Sequence, residues 1–231
     1  RVALPVLEEY HGEIARDIYH RRTGEDVSPG SIIVLDIENI KANNMASFGT
    51  GRVGVIGEAL REAKRGVALL GNADTDEYQR WAALIAMDGK GQVPMGIIGS
   101  RMNLRDAAFP SGRRTDFEAL WQAYLALRPK AAFIVLDLGD LDRVEGEKKQ
   151  LAASLYQSYR QAVLQHVGGF IQALLETVDL REEWLLIVSP LPPGGEISDG
   201  RLLTPIIVAG PGIAPGLIVS RTTRRPGVVT N

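Results

Sequence analysis

The chain has 231 residues, 45% of them apolar, enough to bury a substantial core, and the reading is a single domain over 1–231. Its 26 basic and 28 acidic side chains leave a formal charge of -2, which offers no bulk attraction to nucleic acid and argues against a nucleic-acid partner. The lack of cysteine removes disulfides, thiolate metal sites and cysteine nucleophiles, and no apolar run reaches the roughly 18 residues of a membrane span.

From Pro5 to Arg22, Leu7, Tyr10, Ile14 and Ile18 recur at spacings of three and four and predict an amphipathic helix. Ser28-Pro29-Gly30 turns the chain, and Ile32 to Leu35 is a short β-branched run that predicts a strand buried on both faces, ending at Asp36-Ile37-Glu38-Asn39. A helix is expected from Val53 to Lys64, a second buried strand over Gly66 to Leu70, and a helix from Asp76 to Met87. Gly89 to Ala107 reads as loops with one minor strand, Val93 to Ile98, and Asp116 opens a helix to Leu127. A third buried strand, Ala132 to Leu136, leads to a long helix from Lys148 to Val178. Trp184 to Val188 and Pro205 to Ala209 complete the strands. Buried strands alternating with amphipathic helices predict an α/β fold, a mostly parallel sheet with helices on both faces.

In such a sheet ligands bind beyond the carboxyl ends of the strands. Those ends carry Asp36, then Asn72 with Asp74, then Asp137, Asp140 and Asp142, and finally Ser189; these are the candidate site residues. Asp137 and Asp140 are the candidate ligands of a single divalent cation, because clustered carboxylate oxygens suit a hard ion or supply a general base. Asp and Gly are also the ordinary residues of βα loops, where Asp caps the next helix, and both readings stay open. Asn72 and Asp74 suit hydroxyl recognition or a turn with its cap. The basic groups Arg113-Arg114 and Arg221 to Arg225 read as solvated loops or anion contacts. His11 and His20, nine residues apart, fall on opposite faces of one predicted helix, and His166 sits at the edge of an apolar stripe, so a histidine-rich zinc site is not expected.

The segment Thr204 to Gly216, together with Val55 to Leu60, Gly66 to Gly71 and Leu136 to Asp142, resembles framework segments of the alkaline phosphatase superfamily over most of residues 53 to 231. Thr222 to Asn231 is similar to the run that leads into that family's closing Asp-x-Ala-Pro-Thr motif. Gly-Asn-Ala-Asp, Ala-Met-Asp, Leu-Gly-Asp and Val-Ser-Pro-x-Pro-Pro resemble a bacterial group whose alkaline-phosphatase-like domain precedes membrane helices. The resemblance implies an alkaline-phosphatase-like domain truncated at both ends, on the extracytoplasmic face of a bacterial membrane, with attachment through flanking segments.

Family members follow the fourth strand with Ser/Thr-Asp-His-Gly, whose Asp and His bind metal. In this chain Ser189 matches, but Pro190 and Leu191 stand at the metal-binding positions and no histidine follows His166. The resemblance thus implies a domain without conventional two-metal catalysis, binding or scaffolding a protein partner or small-molecule ligand. The alternative is a metal-dependent phosphate- or sulfate-ester hydrolase or transferase whose nucleophile lies upstream of residue 1. No nucleophile context is read around Ser47 or Thr50.

Overall fold

The computed structural model describes residues 2–48, 51–189 and 205–216. The chain forms two compact units, 1–159 and 160–231. Among the described residues it is a mixed α/β structure with seven α-helices and several sheets, one of them parallel.

In the first unit β1 (Ala3–Pro5), β2 (Glu9–Tyr10) and β3 (Glu13–Ile14) precede α1 (Ala15–Thr23). The helix expected from Pro5 is therefore confined to its second half. His11 and Gly12, at φ 53° and 82°, form a two-residue loop between β2 and β3, a left-handed pair matched to the twist of a hairpin. Periodicity misleads at Leu7, which is 65% exposed, while Pro5 lies opposite Ile32 in a strand pair. His11 consequently lies outside the helix that carries His20.

β4 (Ile32–Val34) is buried throughout and lies between β1 and β6 (Gln92–Val93), antiparallel to both. The run Asp36 to Asn39 does not extend a strand. It opens α2 (Ile37–Phe48), which contains Ser47; Thr50 lies outside the described residues. After α3 (Val55–Glu62), β5 (Val67–Asn72) runs through the centre of the parallel sheet with all six residues buried. It is flanked by β7 (Met95–Ile97) and β10 (Phe133–Leu138), and the paired residues run from Phe133↔Val67 to Leu138↔Asn72.

The helix expected over 76–87 is reduced to α4 (Ala83–Ala86), because Asp74 holds residues 74–80 in a loop by accepting hydrogen bonds from the Gln79 backbone N–H and the Arg80 side chain. β8 (Asn103–Arg105) and β9 (Arg113–Thr115) form an antiparallel hairpin. α5 (Phe117–Leu127) starts where Asp116 accepts a hydrogen bond from the Ala119 N–H, a side-chain N-cap. α6 (Asp140–Gly146) follows β10 directly.

The core of this unit joins β1, β4 and β5 to α1 and α4 through Leu4, Tyr19, Ile32, Ile33, Leu69, Ala83 and Met87, all buried. Removing such side chains from water is the main stabilising force, at about 1.5–3 kcal/mol for each large aliphatic residue. The Tyr19 hydroxyl enters this core with its hydrogen bonds made, donating to the Lys90 carbonyl at 2.7 Å and accepting from Gln92 at 3.1 Å.

α7 (Ala153–Leu175) runs across the division between the units and continues through Gly168 and Gly169. In the second unit β11 (Leu185–Val188) pairs antiparallel with β12 (Ile206–Ala209). Several of their apolar side chains are exposed, Leu186 at 61% and Ile207 at 59%. Pro190, Leu191 and the segment 217–231 lie outside the described residues. Among the described residues no helix is long and apolar enough to cross a membrane.

Gly71 is a point of close approach in the parallel sheet. Its φ is +86°, and a Cβ there would stand 2.2 Å from the Asp137 carbonyl oxygen on the neighbouring strand. Gly112 has a similar φ of +69° but open space around it. Gly112→Ala is expected to cost about 1 kcal/mol from backbone strain alone, and Gly71→Ala at least about 2 kcal/mol more because β5 and β10 must separate. Urea unfolding of the two variants measures the difference.

Candidate functional site

Two of the three chain segments that end in carboxylates, β5 and β10, lie side by side in one sheet. Their ends meet around Arg143, a residue of α6 with 0% exposure. A guanidinium carries five N–H donors and cannot lose its charge, so burying it requires acceptors on every side. Its Nε donates to the Asp74 carbonyl at 2.9 Å. Nη1 donates to Asp140 Oδ1 at 2.7 Å and Thr115 Oγ1 at 3.1 Å. Nη2 donates to the Asn72 carbonyl at 2.8 Å, and to Asn72 Oδ1 and Asn103 Oδ1 at 3.0 Å each.

The acceptors are themselves held in place. Asp140 Oδ1 also receives the Thr115 N–H at 2.7 Å and the Thr115 hydroxyl at 3.0 Å. Asn72 donates through Nδ2 to the carbonyls of Ile98 at 2.8 Å and Gly99 at 3.2 Å. Its Oδ1 accepts from the Asp74 N–H at 3.0 Å and from Asn103 Nδ2 at 2.9 Å.

A second buried arginine takes up the other carboxylate. Arg80 donates to Asp74 Oδ2 at 2.7 Å, to Glu8 Oε2 at 2.9 Å and to the Ala3 carbonyl at 3.1 Å, and it lies 4.3 Å from the centre of the Tyr78 ring. Burial works against its charge, but the hydrogen bonds it donates to Glu8 and Asp74 outweigh that and hold the guanidinium pKa above its ordinary value.

The structure thus joins three of the candidate residues, Asn72, Asp74 and Asp140, in one network. Asp137, the last residue but one of β10, makes no side-chain hydrogen bond among the described residues. Burial pushes its carboxyl up to about 7, Arg143 counteracts this, and Asp142 and Asp74 add to it. Asp142 is raised as well, by burial first, against the pull of Arg143. Asp36 stands apart, after β4 in the antiparallel sheet, where its carbonyl accepts the Ile40 N–H at 3.1 Å. Ser189 belongs to the second unit, and its N–H donates to the Pro205 carbonyl at 3.1 Å.

A cation shared by Asp137 and Asp140 would not find Asp140 Oδ1 free. Asp140 Oδ1 already accepts three hydrogen bonds, one from a guanidinium whose charge would repel a metal ion at the same oxygen. Among the described residues no group of three or more His, Asp or Glu side chains is placed to hold a metal.

Two cavities are found among the described residues. A void of about 10 Å³ lies between Ala3, Val34, Arg80 and Trp81, room for no more than a water. An open depression of about 300 Å³ on α1 is bordered by Arg16, Asp17, His20, Glu25 and Asp26, where His20 faces Asp26 at 3.3 Å.

Arg80, Arg143, Asn103 and Thr115 are the residues that reading the strand ends did not reveal. Only Asp140 and Arg143 carry a local signal, an acid–base pair spaced three apart on a helix. Comparison with known proteins finds no matching family model, curated protein or solved structure.

Arg143→Met is expected to destabilise the protein by about 3–5 kcal/mol, since it leaves the Asp140 charge buried without its partner. Asp140→Asn, which keeps an acceptor for Thr115, is expected to cost less; chemical denaturation checks the order. Asp137 sets a pH dependence of opposite sign to that of a salt-bridged acid. Its folded pKa lies above the ordinary value of 3.8, so the stability it contributes is complete below about pH 4 and is lost as pH rises to about 7. Asp137→Asn is expected to flatten the fall in melting temperature between pH 4 and pH 7, as a pH series of thermal melts on both proteins would show.

Proposed function

We propose that the chain is a binding or scaffold domain of alkaline-phosphatase-like ancestry, on the extracytoplasmic face of a bacterial membrane, working without conventional two-metal catalysis. The observation that carries the non-catalytic part is the commitment of Asp74 and Asp140 to Arg80 and Arg143 at 2.7 Å each. A carboxylate that ligates a metal must present a free lone pair to the ion, and a buried guanidinium at the same oxygen removes it. The superfamily ancestry and the cellular location rest on the sequence resemblance, and a mostly parallel sheet on the alternation of apolar strand runs with amphipathic helices.

One observation favours a second reading, a metal-dependent phosphate- or sulfate-ester hydrolase or transferase. The Asp137 side chain makes no hydrogen bond among the described residues, and its carboxyl is raised to about 7, the range in which a general acid–base exchanges protons efficiently near neutral pH. The two readings separate in one assay. Protein incubated with zinc, magnesium or manganese is expected to turn over neither p-nitrophenyl phosphate nor p-nitrophenyl sulfate above the buffer rate. Turnover that disappears in Asp137→Asn, with the fold retained by circular dichroism, would replace the binding reading with the hydrolase.

A further inference from the structure

The β8–β9 hairpin carries an arrangement that its own stability opposes. In its register Asn103 faces Thr115, Leu104 faces Arg114, and Arg105 faces Arg113. Directly opposed residues of an antiparallel pair share a face and sit close enough to interact, and like charges there destabilise the pair. Arg105 and Arg113 thus project from the same side of the ribbon, two residues along from Asn103 and Thr115.

The two arginines are poorly neutralised. Arg105 is exposed and makes no hydrogen bond or ion pair among the described residues. Arg113 reaches one partner, Asp76, at 3.4 Å, and that carboxylate is fully exposed, so the pair is weak and screened by solvent. Arg114, on the opposite face, is the arginine with a closer partner, Asp106 at 3.0 Å. Beneath them the hairpin is fixed. Asn103 and Thr115 are both bonded to the buried Arg143, Asp116 N–H donates to the Met102 carbonyl at 2.8 Å, and Gly112 N–H closes the loop on the Phe109 carbonyl at 2.8 Å.

We propose that Arg105 and Arg113 form a subsite for a tetrahedral oxyanion, a phosphate or sulfate group either free or esterified. Two guanidiniums on one rigid face offer paired N–H donors to the oxygens of a single group, and the bound charge relieves the repulsion between them. The ordering cost is low because the backbone that carries both side chains is already held by the Arg143 network. The subsite does not depend on whether the domain catalyses.

Titration calorimetry of the whole chain at fixed ionic strength tests this with inorganic phosphate, sulfate and phenyl phosphate as probes and chloride as the reference anion. Saturable binding with one site is expected for at least one of the three. It should weaken at least tenfold in the double variant Arg105→Gln/Arg113→Gln and stay unchanged in Arg65→Gln, which removes an exposed charge elsewhere. Tighter binding of phenyl phosphate than of phosphate assigns an esterified ligand, and the reverse order a free anion. The double variant should also melt no lower than the native chain, since it loses a repulsion. Absence of saturable binding by all three probes, or equal affinity in the double variant, overturns the proposal.

Discussion

A buried guanidinium sets the terms for the first unit of this protein. Arg143 cannot shed its proton and reaches no solvent, so six acceptor contacts from five residues must converge on it before α6 can close over the end of the sheet. Those acceptors come from the end of β5, the loop after it, both strands of the β8–β9 hairpin and α6 itself. The hydrophobic core accounts for why the sheets and helices associate at all. It does not say how the hairpin and α6 are placed at the carboxyl edge; the directional bonds to Arg143 do.

The same network explains why neighbouring carboxylates behave differently. Asp140 and Asp74 each receive a charged donor at 2.7 Å. Every N–H of Arg143 is already engaged with other acceptors, so Asp137 feels its positive charge only through space. For Asp137 burial is the larger effect, and the nearby Asp142 and Asp74 reinforce it. One arginine thus bears differently on two residues separated by a single turn of chain: Asp140 is bonded to it directly, and Asp137 feels only a through-space pull that burial outweighs.

How far the fold could be read from the sequence follows from which interactions are local. The apolar runs at 66–70, 132–136, 184–188 and 205–209 announced strands that the structure places at 67–72, 133–138, 185–188 and 206–209, and Asp116 announced the start of α5, because apolar runs and capping act within a few residues. The readings over 5–22 and 76–87 failed where a turn or a long-range bond overrode periodicity: the His11–Gly12 loop in the first case, the Asp74–Arg80 lock in the second. Strand pairing is equally non-local. Ile32 to Val34 look like a parallel-sheet strand by composition, yet pair antiparallel on both sides. For the site, the strand ends pointed to Asn72, Asp74 and Asp140, but their partner Arg143 lies 71 residues from Asn72, and no sequence spacing encodes that contact.

The register of the hairpin ties the network to its surface. Side chains alternate along a strand, so once Asn103 and Thr115 face Arg143, the residues two positions along must share the same side. A slip of one residue would separate Arg105 from Arg113, but it would also turn Asn103 and Thr115 away from the buried guanidinium, leaving it short of acceptors. The buried layer therefore fixes that positions 105 and 113 are neighbours. It places no demand on what occupies them, since neither side chain enters the network. A lysine–glutamate pair, or two threonines, would satisfy the strand geometry without repulsion. Two arginines at this rung are a choice made at the surface, and the chemistry they share is the recognition of oxyanions.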